Sequence, residues 1–289
     1  HGYGLTPEIV AVAKQRNPAY IITVDNGIAS LEGVAAAKAQ GIGVLITDHH
    51  LPGAELPEAD AIVNPNLLGD TFPGRALAGV GVMFYVLIAV RAKLREAGRF
   101  TEALPNLARL LDLVALGTVA DVAPLDRINR VLVQHGVQRI RAGQAHAGVA
   151  ALLEVAKRNP AQVRAADLGF GVAPRLNAAG RLEDMCLGIE CLLTDDPEAA
   201  REMACALDGL NLERRSIEDR MKQEAFQIMQ ADDVKQSGWL EKAGQQPVVC
   251  LFDEGWHQGV IGILASRIKD RLHRPVIAFA PGADGIVKG

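Results

Sequence analysis

The sequence is poor in cysteine and aromatic residues, and it lacks a long apolar run. Its four cysteines in 289 residues form no CxxC pair and have no histidine at metal-ligand spacing. This argues against a disulfide scaffold or a zinc finger, and it favours a reducing cytoplasm. The longest uncharged stretch, residues 76–90, has 15 residues, fewer than the ~20 that cross a bilayer. We therefore expect a cytoplasmic protein that does not associate with a membrane.

Charge is unevenly distributed along the chain. The totals of 30 basic and 34 acidic residues give a net charge of −4, which argues against a general nucleic-acid coat protein. Residues 127–181 nevertheless hold nine basic and two acidic residues, whereas residues 182–256 hold seven and 17. The basic middle predicts either a surface that follows a phosphate backbone or a set of solvated helix faces. Charge alone leaves both open.

The first part of the chain has an alternating strand and helix pattern. Two β-rich segments, YIITV at 20–24 and IGVLI at 42–46, flank an alanine-rich helix with Ser30 as its cap and Gly41 at its end. A strand–helix–strand unit of this length predicts a parallel sheet. Residues 61–63 are a third, shorter strand candidate.

The rest of the chain is predicted to be largely helical. A long helix over 196–232 is followed by a second strand–helix–strand pattern. The predicted fold class is α/β, with a parallel-sheet core and added helices over 1–195, a connecting helix over 196–232, and the start of a smaller α/β domain over 233–289. The other predicted helices are 77–97, 106–117, 129–141, 149–157 and 184–193, and the late elements are a strand at 247–252, a helix at 258–272 and a strand at 275–280.

Acidic residues and histidines follow the predicted strands. Asp25 follows the first strand, and Asp48, His49 and His50 follow the second. The catalytic and binding residues of open α/β sheets lie beyond the carboxyl ends of the strands. With Asp121, in GTVADV, they form an oxygen-rich set with imidazole that suits Mn²⁺ or Mg²⁺. The alternatives are a turn-forming Asp25, surface histidines and a helix-capping Asp121, and spacing does not decide between them.

The motifs that carry these residues resemble the DHH phosphoesterase superfamily. TDHH follows a parallel strand, VDNG lies one strand–helix–strand unit earlier, and GTVADV comes about 70 residues later. PRLNAAGRL and GWHQGVIGILASR are more specific, and they resemble the bacterial branch of single-strand-specific 5′→3′ exonucleases. The resemblance covers essentially the whole chain, and it implies a DHH core followed by a DHH-associated domain.

The resemblance implies a role for each candidate residue. Asp25 would be shared by two metal ions, and His49 and Asp121 would complete the ligands of one of them. His50 would sit beside the scissile phosphate, and Asp48 would fix a histidine tautomer by a hydrogen bond.

Three further residues are implied to contact DNA. Arg175 and Arg181, in PRLNAAGR, would bind phosphates near the cut, and His257, in GWHQG, would face the substrate at a helix start. Structural roles remain open, since Arg175 could pack a loop and His257 could cap the helix.

The implied activity is hydrolysis of single-stranded DNA to 5′-mononucleotides with two Mn²⁺ or Mg²⁺ ions, in DNA repair and recombination. The implied partners are a single-stranded-DNA-binding protein and a helicase, and the implied assembly is a monomer. Two alternatives differ in class: a DHH phosphodiesterase for short oligonucleotides or cyclic dinucleotides, and a non-catalytic scaffold. The scaffold is disfavoured because Asp25, Asp48, His49, His50 and Asp121 are all present.

Both ends of the sequence look like cuts through a longer protein. The family's first motif, an aspartate-rich strand end that supplies metal ligands, is expected before His1. The DHH-associated domain is expected to continue after Gly289. Because both segments are expected to lie outside the sequence, we expect the 289-residue piece to be inactive, or nearly so, by itself.

Overall fold

The computed structural model of the chain describes residues 4–100, 104–235, 248–282 and 285–289. Its contacts divide the chain into two compact units, residues 1–173 and residues 174–289. Among the described residues each unit has a three-stranded sheet, in which the strands are ordered as in the sequence.

The sheet of the first unit is parallel throughout. Its strands are β1 (Tyr20–Val24), β2 (Gly43–Thr47) and β3 (Ala61–Val63). Val24 lies opposite Thr47, and Thr47 lies opposite Val63. The carboxyl ends of all three strands are therefore level, and the residues that follow them emerge at one edge of the sheet.

One face of this sheet is covered by α1 (Pro7–Lys14) and α2 (Leu31–Ala39). Their apolar side chains pack with alternate residues of β2, as the two-residue period of a strand requires. Val10, Val34 and Ile46 are fully buried in this cluster. Burial of such side chains contributes roughly 1.5–3 kcal/mol each and keeps the strand ends in place.

A second apolar cluster around Leu77, Phe84 and Val114 joins three further helices of the first unit, Gly79–Glu96, Leu111–Ala120 and Arg127–Arg141. A 3₁₀ turn, Leu107–Leu110, leads into α4, and a π-helical turn, Leu168–Val172, follows α7. The α-helices are α3 (Gly79–Glu96), α4 (Leu111–Ala120), α5 (Arg127–Arg141), α6 (Ala147–Val155) and α7 (Ala165–Asp167).

The close packing of α4 on α5 depends on Gly136. A Cβ added there would lie 2.1 Å from the carbonyl oxygen of Leu111 and 2.4 Å from Cβ of Ala115. We expect Gly136→Ala to lower the free energy of unfolding by about 1–3 kcal/mol, because the two helices must separate. Gly209→Ala is the matched control, since among the described residues no atom beyond its own part of the helix lies within 4 Å of its added Cβ. It should raise stability by roughly 0.5–1 kcal/mol. Urea unfolding measures both, and equal effects would contradict the packing.

Among its described residues, the second unit has four helices and a mixed sheet. β4 and β5 are parallel, and β6 is antiparallel to β5. Its core contains Met221, Trp256 and Leu264, so Trp256 is a packing residue. The elements are α8 (Ala173–Leu182), α9 (Cys186–Leu193), α10 (Pro197–Lys235), β4 (Val249–Phe252), α11 (Ile261–Leu272), β5 (Val276–Pro281) and β6 (Val287–Lys288).

The predicted α/β fold class is confirmed, with small sheets and many helices. The first strand has the predicted bounds, and the second begins and ends one residue later than predicted. The expected Ser30 side-chain cap is wrong, because its hydroxyl accepts a hydrogen bond from the Leu5 N–H instead. Residue 247, where the late strand was predicted to begin, lies outside the described residues.

The predicted long helix over 196–232 is present as α10. The division of the chain into domains that end at residues 195 and 232 stays a prediction. The boundary between the two compact units falls between residues 173 and 174 of the sequence. In the described ranges, no helix combines the length and the apolar character needed to cross a membrane.

Candidate metal centre

Asp25 lies directly after β1, at the carboxyl edge of the parallel sheet. Its N–H donates to the carbonyl of Thr47 at 2.9 Å, which extends the pairing of β1 and β2 by one residue. Its φ of 64° is left-handed, a conformation that Asp and Asn adopt more readily than most other side chains. The chain therefore turns sharply at Asp25.

The first residue of α3, Gly79, packs against the Asp25 carboxylate. A Cβ on Gly79 would lie 2.3 Å from Oδ1 of Asp25, so a side chain there would displace the carboxylate. The sequence interpretation did not identify Gly79 as a site residue. Its signal is a glycine at the first position of a helix, in Leu77-Ala78-Gly79, where helix propensity does not favour it.

The imidazole of His49 faces two carboxylates. Its Nε2 atom lies 3.0 Å from Oδ1 of Asp25 and 3.7 Å from Oδ2 of Asp121. Within the described residues, Oδ1 of Asp25 and Nε2 of His49 are nevertheless buried atoms without a hydrogen-bond partner. Buried polar atoms are nearly always satisfied. Two such atoms that converge without a hydrogen bond to each other are a pair of ligand atoms that a divalent cation would satisfy.

Asp121 reaches this point from a different element. It is the C-cap residue of α4, and its N–H donates to the carbonyl of Gly117 at 3.0 Å. Because α4 packs on α3 and α5, its end is fixed by the helical layer, while His49 is fixed by the sheet. The sequence separates Asp121 from Asp25 by almost 100 residues, and the fold brings both to His49.

Asp48 is a buried carboxylate that organises the loop after β2. Its Oδ1 accepts from the N–H groups of His49 and His50 at 2.7 and 3.2 Å, and its Oδ2 accepts from the Ile28 N–H at 2.9 Å. Oδ1 also lies 2.7 Å from Nδ1 of His50. Because a carboxylate only accepts, this bond holds the imidazole proton on Nδ1.

The pKa values follow from these contacts. The hydrogen bond to Asp48 raises the pKa of His50 above 6.5, although partial burial opposes it. Burial raises the pKa of Asp48, but the hydrogen bonds from Ile28, His50 and His49 outweigh burial and leave it below 3.8. Burial, opposed by nearby His49 and assisted by Asp121, raises the pKa of Asp25. The charge of nearby His49 therefore does not offset the effect of burial on the Asp25 carboxylate.

Two asparagines after β3 donate hydrogen bonds to the histidine loop, residues 48–50. Nδ2 of Asn64 donates to the His50 carbonyl at 2.9 Å, and Nδ2 of Asn66 donates to the His49 carbonyl at 2.7 Å. Neither asparagine was among the predicted site residues. Their signal was their position directly after a parallel strand, the same signal that identified Asp25 and Asp48.

The donor set fits a hard divalent cation. Asp25, His49 and His50 offer ligand atoms that all lie within 4.8 Å of one another, and Asp121 adds a carboxylate beside His49. Carboxylate oxygens with imidazole and no thiolate suit Mn²⁺ or Mg²⁺.

The predicted DNA-contacting residues all lie in the second unit. The side chain of Arg175 is 12% exposed and its Nη2 lies 2.7 Å from Oδ1 of Asp208. Nη1 of Arg181 donates to the Gly259 carbonyl at 3.2 Å, beside a cavity of about 490 Å³ that Gln258 and Lys288 also line. Nδ1 of His257 accepts from the Gly259 N–H at 3.1 Å, just before α11. DNA contact by these residues stays a prediction.

Comparisons with known proteins agree with the motifs. Residues 4–118 match the DHH family, N-terminal domain. A single-stranded-DNA-specific exonuclease RecJ from Dickeya dadantii (strain 3937) is 56% identical over 291 residues, which cover 100% of this chain and 50% of that protein. The chain therefore spans about half the length of this relative.

Two solved structures are similar to the chain in fold. A crystal structure of exonuclease RecJ bound to manganese has a TM-score of 0.81 and 32% identity, covering 97% of this chain and 65% of that one. RecJ in complex with Mn²⁺ from Thermus thermophilus has a TM-score of 0.77 and 32% identity, covering 95% and 38%. The chain thus matches the DHH family, N-terminal domain, over residues 4–118, and it is similar to RecJ single-stranded-DNA-specific exonucleases along its whole length.

Proposed function

We propose that this chain is the catalytic part of a metal-dependent exonuclease that degrades single-stranded DNA from the 5′ end to 5′-mononucleotides, in DNA repair and recombination. One observation carries the proposal. Asp25, His49 and Asp121 come from three separate elements, yet they converge at one point, where Oδ1 of Asp25 and Nε2 of His49 are buried without hydrogen bonds. The names of the similar proteins indicate the substrate.

The proposed cofactor is a pair of Mn²⁺ or Mg²⁺ ions. Asp25 would be shared by both ions, and His49 and Asp121 would bind one of them. Bound divalent ions supply an activated water and offset charge on the leaving oxygen. Burial is the main cause of the raised pKa of Asp25. A bound cation would stabilise the ionised form of such a carboxylate.

His50 is proposed to act on the scissile phosphate. Asp48 holds the proton of its ring on Nδ1 and favours the doubly protonated imidazolium by raising its pKa. A positively charged ring can donate from Nε2 to a phosphate oxygen. About half of the His50 side chain is exposed, so a strand can reach it from solvent. Asp48 is then a positioning residue that acts through His50.

Arg175, Arg181 and His257 are proposed to bind the DNA backbone. Arg181 fits this role best, because it lies at a cavity whose other cationic side chain is Lys288. Arg175 would have to exchange its contact with Asp208 for a phosphate. The cytoplasmic location, the monomeric state and the partners, a single-stranded-DNA-binding protein and a helicase, remain parts of the proposal.

The proposal is tested by digestion of 5′-labelled substrates with the protein that carries this chain. We expect release of mononucleotides from a single-stranded 20-mer in Mn²⁺ or Mg²⁺, loss of release in EDTA, and much slower cutting of the same sequence as a duplex. A dinucleotide should be a poorer substrate than the 20-mer. Preference for the dinucleotide would favour a short-oligonucleotide phosphodiesterase instead, and metal-independent cutting would contradict the proposed site.

A further inference from the structure

An exposed apolar patch adjoins the candidate metal centre in the first unit. It surrounds a cavity of about 320 Å³ at the end of α4, which Val119, Val122, Leu125 and Phe170 line together with alanines and one glycine. The exposed fractions are 85% for Val122, 45% for Leu125 and 79% for Phe170. Val122 directly follows Asp121, so the patch begins one residue from a proposed metal ligand. We call Val122, Leu125 and Phe170 the apolar patch.

Phe170 is held out of the core by the element that carries it. It lies in the π-helical turn Leu168–Val172, and its neighbours Leu168, Gly171 and Val172 are buried. The backbone is thus anchored on both sides of an aromatic ring that faces solvent. π-helical turns occur frequently at functional sites, and an exposed phenylalanine ring gains nothing from packing in this position.

Val122 also has an unfavourable conformation. Its φ is 57°, a left-handed value that is a genuine outlier for a β-branched side chain. Such strain persists only where the surrounding structure determines it, and it clusters at ligand-binding sites. The turn fixes Asp121 on one side and presents the Val122 side chain to solvent on the other.

Arginines follow and precede, in the sequence, residues that line the cavity, Leu125 and Ala165. Arg127, two residues after Leu125, begins α5, and Arg164 precedes α7; both are exposed. An apolar surface with exposed cations on its neighbouring chain segments matches the chemistry of a single nucleic-acid strand, whose apolar base faces alternate with phosphates.

We propose that the apolar patch binds a nucleobase, which stacks on the ring of Phe170 while Arg127 and Arg164 contact the flanking phosphates. This inference rests on the proposed function, since the strand is the one whose scissile phosphate lies at Asp25, His49 and Asp121. Phe170 would hold the strand in position next to the metal centre without reading its sequence, because every base has an apolar face.

The test uses single-stranded oligonucleotides with 2-aminopurine at one position near the 5′ end, bound to the protein in EDTA so that no metal-dependent cutting occurs. The wild-type protein should quench 2-aminopurine at one position. Phe170→Ala should remove that quenching and weaken binding about 5- to 150-fold, the range measured for base–aromatic stacking. Phe170→Trp should retain both the quenching and the affinity. Phe170→Leu keeps apolar area but has no ring, so it should lose the quenching.

Leu68→Ala is the matched control, because Leu68 is a fully exposed apolar residue outside the patch, and it should change neither quenching nor affinity. Equal affinity and quenching in wild type and Phe170→Ala would overturn the nucleobase proposal alone. Failure of the wild-type protein to bind any single strand would overturn the proposed function as well. Sedimentation excludes another occupant: a dimer that Phe170→Ala converts to monomer, with strand affinity unchanged, would make the patch a self-association surface and overturn the proposal.

Discussion

Asp25→Asn will abolish tight Mn²⁺ binding and, in the protein that carries this chain, will lower nuclease turnover by roughly 1000-fold or more, equal to about 4 kcal/mol of transition-state stabilisation. The amide keeps the size of the carboxylate but not its charge. Asparagine is the correct replacement because it also tolerates the left-handed backbone at this position. Alanine would remove the ligand and also strain the backbone, so the two effects could not be separated.

The same variant should not lose stability in the absence of metal. Because the folded pKa of Asp25 is raised, the ionised carboxylate destabilises the metal-free fold as the pH rises above 3.8, and the full effect is present above the raised pKa. A neutral amide removes this effect. Metal-free Asp25→Asn should therefore melt at the same temperature as wild type, or higher, at pH 7.

A matched control is available at another strand end. Asp253 follows the parallel strand β4 as Asp25 follows β1, but its carboxylate accepts a hydrogen bond from the Gly255 N–H at 2.7 Å. Asp253→Asn should leave Mn²⁺ affinity unchanged in calorimetric titrations. Wild-type Mn²⁺ affinity in Asp25→Asn would remove Asp25 from the metal site.

Asp48→Ala should cause the second large effect, a loss of roughly 3 kcal/mol or more in the free energy of unfolding. The substitution leaves the buried N–H of Ile28 and the partly buried N–H of His49 without an acceptor and removes the partner of the His50 ring. Each unsatisfied buried donor costs about 1–3 kcal/mol. Urea unfolding of the metal-free protein measures the loss.

The effect of Asp48 depends on pH in a predictable direction. The lowered pKa of Asp48 gives stability that is present above pH 3.8 and is lost as the pH falls through the folded value. The raised pKa of His50 gives stability that is present below pH 6.5 and is lost as the pH rises through its folded value. The difference between wild type and Asp48→Ala should therefore be largest between pH 3.8 and 6.5.

A second buried aspartate provides the control for this result. Asp112 accepts from the His146 N–H at 2.7 Å and lies 2.9 Å from Nδ1 of His146. Asp112→Ala should destabilise the first unit without changing the pKa of His50, whereas Asp48→Ala should lower it towards 6.5 in NMR titrations. An unchanged His50 pKa in Asp48→Ala would contradict the proposed hydrogen bond.

The elements predicted well from sequence are those that local pattern determines. β1 has its predicted bounds because YIITV is a short β-rich run, and α10 extends over the predicted helix because no proline interrupts it after Pro197. α1 was not predicted, although Thr6 caps it and Pro7 begins it, because its eight residues have only one buried side chain. Short helices depend on tertiary packing more than on propensity.

The candidate site likewise contains residues that the local sequence indicates and contacts that it does not. Asp25, Asp48 and the two histidines could be found because each follows a strand of a parallel sheet. Gly79, Asn64 and Asn66 also have signals in the sequence, but their contacts with Asp25 and with the histidine loop depend on the relative positions of separate elements and could not be predicted. The contact between Arg175 and Asp208 likewise joins α8 and α10, and no local pattern indicates it.

The central claim is that Asp25, His49 and Asp121 hold a divalent cation, and anomalous diffraction from crystals of the chain grown with Mn²⁺ tests it most directly. We expect a manganese peak within bonding distance of Oδ1 of Asp25 and Nε2 of His49, with Asp121 beside it. A chain saturated with Mn²⁺ that shows no peak there, or shows its manganese bound elsewhere, would contradict the account.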